Sequence, residues 1–279
     1  MKIEAYAKVN LTLEVFGRQV DGYHRLRSVV QQVSLSDTLS LADAEDFSCD
    51  SGYDDDLALK AARALAVATG IKRKVAIKIE KRIPAGGGLG GGSADAAALL
   101  RALNEMWRLR LPVHELAAIG AGVGSDVPAL VYGGTVVMEG RGEIITPLTE
   151  NETSARPLYM VLANPGVFSS TREVFSRYRP HLQEDPSILY NMRSALSSGD
   201  YRRVAAAVMN DLSSPAVELH PEIAEALDSL EKAGAQGVST SGSGSTVFGL
   251  VSDEACGRKI ASHMNARGYW AECVHTIVR

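Results

Sequence analysis

The sequence predicts a protein of mixed helices and strands that divides in two just past its middle. Three observations carry this. Residues 1–16 alternate apolar and polar side chains without a break, residues 81–95 place a glycine-rich loop between a strand pattern and a helix pattern, and residues 149–156 (Thr-Glu-Asn-Glu-Thr-Ser-Ala-Arg) are polar and unpatterned, as at a domain boundary. The expected units are residues 1–150 and 157–279.

Length and composition bound the possibilities. The chain has 279 residues, 46% of them hydrophobic and 22% charged, enough for a sizeable core. A net charge of −4 without a basic run gives no reason to expect a nucleic-acid partner. Cys49, Cys256 and Cys273 are scattered and form no CxxC pair, which suits a reducing compartment. The N-terminus shows no apolar leader core and no run of about 18 apolar residues occurs. The expectation is a soluble, cytoplasmic protein without a membrane partner. The six histidines show no ligand spacing, so no resident metal site is expected.

In chain order, Ile3, Ala5, Ala7, Val9, Leu11, Leu13 and Val15 share one strand face, and Lys2, Glu4, Tyr6, Lys8, Asn10, Thr12 and Glu14 the other. The simplest account of the polar face is solvation. Asp21-Gly-Tyr-His24 follows a turn-like Gly17–Val20, ahead of a second alternation through Val29 and Val33. Asp54-Asp-Asp56 leads a helix with Leu57, Ala61, Ala64, Leu65 and Ala68 inward, stopped at Gly70; acidic residues there complement the helix dipole. Val75, Ile77 and Ile79 alternate with charge at Lys74, Lys78 and Glu80, a strand.

Next comes Lys81-Arg-Ile-Pro84-Ala-Gly86-Gly-Gly-Leu89-Gly-Gly-Gly92-Ser93-Ala-Asp95, with six glycines in seven positions. Glycine allows positive φ and lets a ligand approach the backbone closely. Ser93 can cap the helix carrying Ala96, Leu99, Leu100, Leu103 and Trp107, and a glycine loop entering a helix N-terminus is an anion site. A GxxxxGK[ST] loop is excluded because no lysine follows the last glycine. Gly86-x-Gly88-x-x-Gly91 fits GxGxxG, but the strand with an acidic residue about 20 positions on is missing. Pro112 begins a short helix to Ala121, and Gly122-Val-Gly-Ser-Asp126-Val-Pro128 is a stiff turn presenting one carboxylate, a common structural use of Asp.

Val131–Met138 and Glu143–Leu148 read as strands, as does Leu158–Ala163. Ser169-Ser-Thr171 can cap a helix with Val174 and Phe175; further helices are expected at 187–197, 200–209 and 221–233. A second glycine motif, Thr240-Ser-Gly-Ser-Gly-Ser-Thr246, leads into the strand Val247–Val251, followed by a helix at 253–267 and a strand at 269–277.

Pro84, Gly88, Leu89, Gly90 and Ser93 make the pattern Pro-x-x-x-Gly-Leu-Gly-x-x-Ser, which resembles the phosphate loop of the GHMP superfamily of small-molecule kinases. Lys8-Val-Asn10, Asp21-Gly-Tyr23-His24, Gly124-Ser-Asp126-Val-Pro128, Glu139-Gly-Arg-Gly-Glu143 and Ser241-Gly-Ser-Gly-Ser245 narrow it. In that order they resemble the 4-diphosphocytidyl-2-C-methyl-D-erythritol kinase family, over about residues 3–250. The resemblance implies an α+β, two-lobed GHMP kinase fold, with a nucleotide-binding first lobe and the active site in the cleft between lobes. It implies phosphorylation of the 2-hydroxyl of a substrate carrying a cytidine diphosphate group, in the non-mevalonate route to isoprenoids, with ATP and Mg²⁺.

Residue by residue, it makes Asp126 the base with Lys8 beside it as the second catalytic residue. It places Pro84, Gly86, Gly87, Gly88, Leu89, Gly90, Gly91, Gly92 and Ser93 at the ATP phosphates, with Lys81 and Asp56 also on the ATP side. Asn10, Tyr23, His24, Thr171 and Phe175 fall to the substrate, Tyr23 and Phe175 sandwiching cytosine. Two departures stand out: Ala94 where relatives have a second serine, and Asp56 where many have Asn. The alternatives are another alcohol kinase of the superfamily and a nucleotide-binding regulator without chemistry; retention of Lys8 and Asp126 argues against the second.

Overall fold

The computed structural model describes residues 1–18, 24–52, 56–180 and 184–278. The N-terminal alternation forms β1 (Lys2–Arg18), paired antiparallel with the long β2 (His24–Ala44). There follow β3 (Ser48–Asp50), α1 (Leu57–Thr69), β4 (Lys74–Glu80), α2 (Gly91–Met106), α3 (Val113–Ala121), α4 (Val127–Tyr132), β5 (Thr135–Gly140) and β6 (Ile144–Pro147). One edge of β2 carries β5 along Leu26–Gln31 and β4 along Thr38–Ala44, while its other edge carries β1 throughout. α1 and α2 pack on this sheet through Ala61, Leu65, Leu99 and Leu103, all fully buried.

The second half contributes β7 (Tyr159–Asn164), α5 (Thr171–Arg177), α6 (Pro186–Ser198), α7 (Tyr201–Ala207), β8 (Met209–Asn210), α8 (Ser213–Leu219), α9 (Pro221–Lys232), β9 (Gln236–Thr240), β10 (Val247–Val251), α10 (Glu254–Ala266) and β11 (Trp270–His275). Its four-stranded sheet has the order β11-β7-β10-β9. The two-residue β8 does not join it: it crosses over and pairs parallel with β1 at Thr12 and Leu13, completing the seven-stranded first sheet. No helix among the described residues is long and apolar enough to cross a membrane.

Four expectations change. The polar face of β1 is not solvated beyond its first turn of residues: Lys8, Asn10, Thr12 and Glu14 are all 3% exposed or less, because the second half of the chain packs over it. Residues 131–132 belong to α4 rather than a strand; Pro128 in its first turn starts the helix, and a short apolar run has no period to separate the two states. Ser93 does not cap α2. Gly90 occupies the cap position at φ 70 and the helix is already running at Gly91, so Ser93 lies inside the first turn. Finally, residues 200–209 are not one helix, since α7 ends at Ala207 and Met209 enters β8.

Candidate active site

Lys8 is buried mid-strand on the face of β1 that the second half covers. Its backbone N–H donates to the Leu89 carbonyl (3.0 Å), which ties the phosphate loop to the strand. Its ammonium donates to Asn10 Oδ1 at 2.6 Å and stands 3.6 Å from Asp126 Oδ2. Asn10 is held in turn by Ser28 Oγ at 2.8 Å. Asp126 occupies the cap position of α4 in a helical conformation and caps nothing with its side chain. Its carboxylate is 30% exposed, with Lys8 as its ion-pair partner.

The glycine loop closes this group. A Cβ on Gly90 would lie 3.1 Å from Lys8 Cγ and 3.6 Å from Asp126 Oδ2. Glycine loop, cation and carboxylate therefore converge on one point. No side chain caps α2, leaving the N–H groups and dipole of its first turn to an anion. Leu89, expected on the ATP side, is 1% exposed; its side chain is core and only its carbonyl serves the site.

Beneath the loop lies a clamp that sequence reasoning missed. Asp37, fully buried on β2, accepts from the backbone N–H groups of Arg82 (2.5 Å) and Ile83 (2.8 Å) and from Lys81 Nζ (2.5 Å). Lys81 also donates to Asp95 Oδ2 at 2.7 Å. Its ammonium, expected at the nucleotide, is drawn instead between two buried carboxylates that hold the loop entry to β2 and α2. Burial opposes the Lys81 charge, but Asp95 and Asp37 outweigh it and hold its pKa up. Asp95 is pushed up to about 7 by burial, against the pull of Lys81. That direction fits the geometry: among the described residues its Oδ1 is buried with no partner, and Lys81 is shared.

Asp56 also takes a structural place. Its Oδ1 accepts from Leu59 N–H at 3.0 Å and caps α1. The Asp54 and Asp55 positions before it lie outside the described residues, as does Tyr23.

The second glycine motif docks onto the first. Ser241 Oγ donates to the Gly88 carbonyl (2.9 Å) and Thr246 N–H to the Gly87 carbonyl (3.1 Å). A Cβ on Gly88, at φ +77, would collide with the Ser241 carbonyl, and one on Gly242 would sit 3.4 Å from Lys8 Nζ. Asn210, at the end of β8, donates to the carbonyls of Thr240 (2.9 Å) and Gly242 (2.8 Å). The motif was visible as a repeated Gly-Ser pattern; its partner was not, because the contact spans some 150 positions.

At the far end of β1, His24 Nδ1 lies 3.0 Å from the Phe16 carbonyl, and the His24 ring is 5.5 Å from that of Phe175. Thr171, at the start of α5, exchanges a hydrogen bond with Ser243 of the glycine motif (2.9 Å). Lys8, Asn10 and Asp126 thus gather at the phosphate loop, whereas His24 and Phe175 gather at the end of the same strand.

Comparison with known proteins identifies the family. Residues 56–134 match the GHMP kinases N terminal domain and residues 192–269 the GHMP kinases C terminal domain. The 4-diphosphocytidyl-2-C-methyl-D-erythritol kinase of Geobacillus thermodenitrificans is 40% identical over 264 residues, 91% of this chain and 89% of that protein. The chain belongs to the 4-diphosphocytidyl-2-C-methyl-D-erythritol kinase family. A crystal structure of 4-(cytidine 5'-diphospho)-2C-methyl-D-erythritol kinase superposes with a TM-score of 0.85 at 33% identity, over the full length of both chains. A homoserine kinase from Cytophaga hutchinsonii shares the fold, with a TM-score of 0.75 at 19% identity, covering all of this chain and 94% of that one. Membership of this kinase family carries ATP use with it, and the α+β GHMP architecture is the observed one.

Family membership also frames what the described residues can do with a metal. Among them no group of three or more His, Cys, Asp or Glu is placed to hold an ion.

Proposed function

We propose that this kinase transfers the γ-phosphoryl group of ATP to the 2-hydroxyl of 4-diphosphocytidyl-2-C-methyl-D-erythritol, in the non-mevalonate route to isoprenoids. The observation that carries the reading is the convergence of Lys8, Asp126 and Gly90 at the middle of β1, with the His24–Phe175 pair at its end. A kinase for a long acceptor needs both: a reaction centre, and a distant grip on the part that does not react.

In this reading Asp126 accepts the proton of the acceptor hydroxyl as its oxygen bonds to the γ-phosphorus. The bond to the β–γ bridging oxygen breaks and ADP leaves. Lys8, fixed by Asn10, neutralises charge that develops between hydroxyl and phosphate, where its burial strengthens the effect. Asn10 acts by holding Lys8, since its carboxamide already bridges Lys8 and Ser28. The N–H groups of residues 90–93 bind the phosphates, and Mg²⁺ bound there, with Ser93 as the nearby hydroxyl, would screen their charge. His24 and Phe175, with Tyr23, grip the cytosine, and Thr171, hydrogen-bonded to Ser243, contacts the substrate.

The test is an assay with ATP, Mg²⁺ and a panel of alcohols with and without a cytidine diphosphate group. The reading expects turnover of the cytidylyl substrate at a kcat/KM at least about a hundredfold above bare methylerythritol phosphate, the loss of a stacked, hydrogen-bonded base being worth several kcal/mol. Equal turnover of homoserine, mevalonate or other bare alcohols would overturn it.

A further inference from the structure

The grip on the acceptor base depends on a part of the fold apart from the glycine loops and the catalytic pair. Val15, near the end of β1, has both backbone groups taken by the second half of the chain. Its N–H donates to Asp211 Oδ2 at 2.8 Å, and its carbonyl accepts from the Tyr178 phenol at 2.8 Å. Tyr178 Oη also stands 3.0 Å from Asp211 Oδ2, closing a triangle in which the single phenol proton serves one acceptor at a time. Asp211 is anchored in turn, its own N–H donating to the Leu13 carbonyl at 2.9 Å.

This hold lies at the last regular pair before an irregularity in the ladder. β1 and β2 lose register between Val15, paired with Leu26, and Arg18, paired with His24. Phe16 lies within that irregular stretch, and its carbonyl is the partner of His24 Nδ1. The His24 ring is therefore oriented by a carbonyl one residue beyond the pinned Val15. Tyr178 contacts the same ring directly, edge-on at 6.3 Å. Phe175 lies in the last turn of α5 and Tyr178 is the residue that ends that helix, so one helix terminus carries both rings that meet His24.

We infer that Tyr178 and Asp211 are positioning residues for the acceptor base: by pinning Val15 they fix the Phe16 carbonyl that orients His24, and so the face His24 and Phe175 present to the ligand. The inference rests on the proposed cytidylyl substrate. It assigns the pair to substrate KM, not to chemistry, because the hydrogen bonds and ring contact described for the two run to Val15, Leu13 and His24, at the base-binding end.

Tyr178→Phe removes the hydroxyl and keeps the ring. It should raise KM for the cytidylyl substrate, and Ki for CMP as a competitor of that substrate, about tenfold, the effect of one lost hydrogen bond. KM for ATP and kcat should stay within about twofold. Asp211→Asn should shift the same two constants in the same direction. Combined with Phe175→Ala, Tyr178→Phe should add much less than its own factor, since both act through one pocket. A Tyr178→Phe enzyme with a lower Tm but unchanged substrate KM and CMP Ki would overturn the inference and leave the triangle as a structural tie. If the wild type fails to prefer the cytidylyl substrate over bare alcohols, the proposed function falls first and the inference with it. The two failures are thereby distinguished.

Discussion

Lys8 and Asp126 face each other at 3.6 Å, one nearly buried and the other partly exposed. Lys8 is fixed from behind by Asn10, whereas no hydrogen bond ties Asp126 to its own helix. That asymmetry suits a fixed charge beside a group that has to take up a proton and release it. Lys8→Met, which keeps the length of the stem and removes the charge, should lower kcat by about 10²–10³ and leave KM for ATP within about threefold, as for other preorganised electrostatic groups. Steady-state kinetics check this; a matching collapse of ATP binding would place Lys8 at the nucleotide instead.

The glycines of the phosphate loop should differ sharply in what they tolerate. Gly88→Ala drives a Cβ into the Ser241 carbonyl at a left-handed φ of +77, so it should destabilise the fold by about 2 kcal/mol or more and raise KM for ATP. Gly92 is helical, and a Cβ there meets only Leu57 at 3.5 Å. Gly92→Ala should be neutral or stabilising by up to about 1 kcal/mol. Thermal melts of the two variants decide the point; equal losses would mean that the docking of the two glycine motifs does not set the loop.

Much of this loop was legible in the sequence because it is local: the strand before it, the glycines and the helix after it follow one another in the chain. The same holds for α1, whose start at Asp56 and stop at Gly70 stand next to its apolar face. What could not be read is non-local. Asp37 looks like any polar residue of an alternating strand, yet it holds Arg82 and Ile83 from 45 positions away. β8 is too short to show a period, and it pairs with a strand almost 200 residues earlier. The burial of Lys8 and Asn10 comes from contacts as distant, Gly242 of the second glycine motif lying against both side chains, so a strand that read as half-solvated is covered on both faces.

Asp56 offers a test of a purely local reading. Because its side chain caps α1, Asp56→Asn should leave the ratio of kcat/KM for ATP and GTP unchanged, Asn being an equally good cap. Asp56→Ala should cost about 1 kcal/mol of stability. A sharpened preference for ATP in the Asn variant would show that the residue reads the purine.

Asp95 gives the fold a distinct pH dependence. Its carboxyl ordinarily titrates near 3.8 and is raised to about 7 in the native state, first by burial and only partly relieved by Lys81. Between these values the unfolded chain has released this proton and the native chain still holds it. Stability from this group is therefore full below pH 3.8 and is lost as pH rises towards 7. Asp95→Asn, neutral throughout, should flatten that part of the stability profile. Urea melts across the window measure it; an unchanged slope would mean that Asp95 is ionised in the native protein throughout.

Phe175→Ala should raise KM for the cytidylyl substrate about 5- to 100-fold, the worth of one stacking face, with KM for ATP nearly unchanged. An effect confined to KM for ATP would put the His24–Phe175 pair on the donor side.

The account stands or falls on Asp126 as the group that receives the hydroxyl proton. Asp126→Asn keeps the shape and the polar contact but cannot take the proton. With the cytidylyl substrate and ATP, it should lose about 10²–10⁴ in kcat while binding ATP as the wild type does. A kcat within about threefold of wild type would contradict that role.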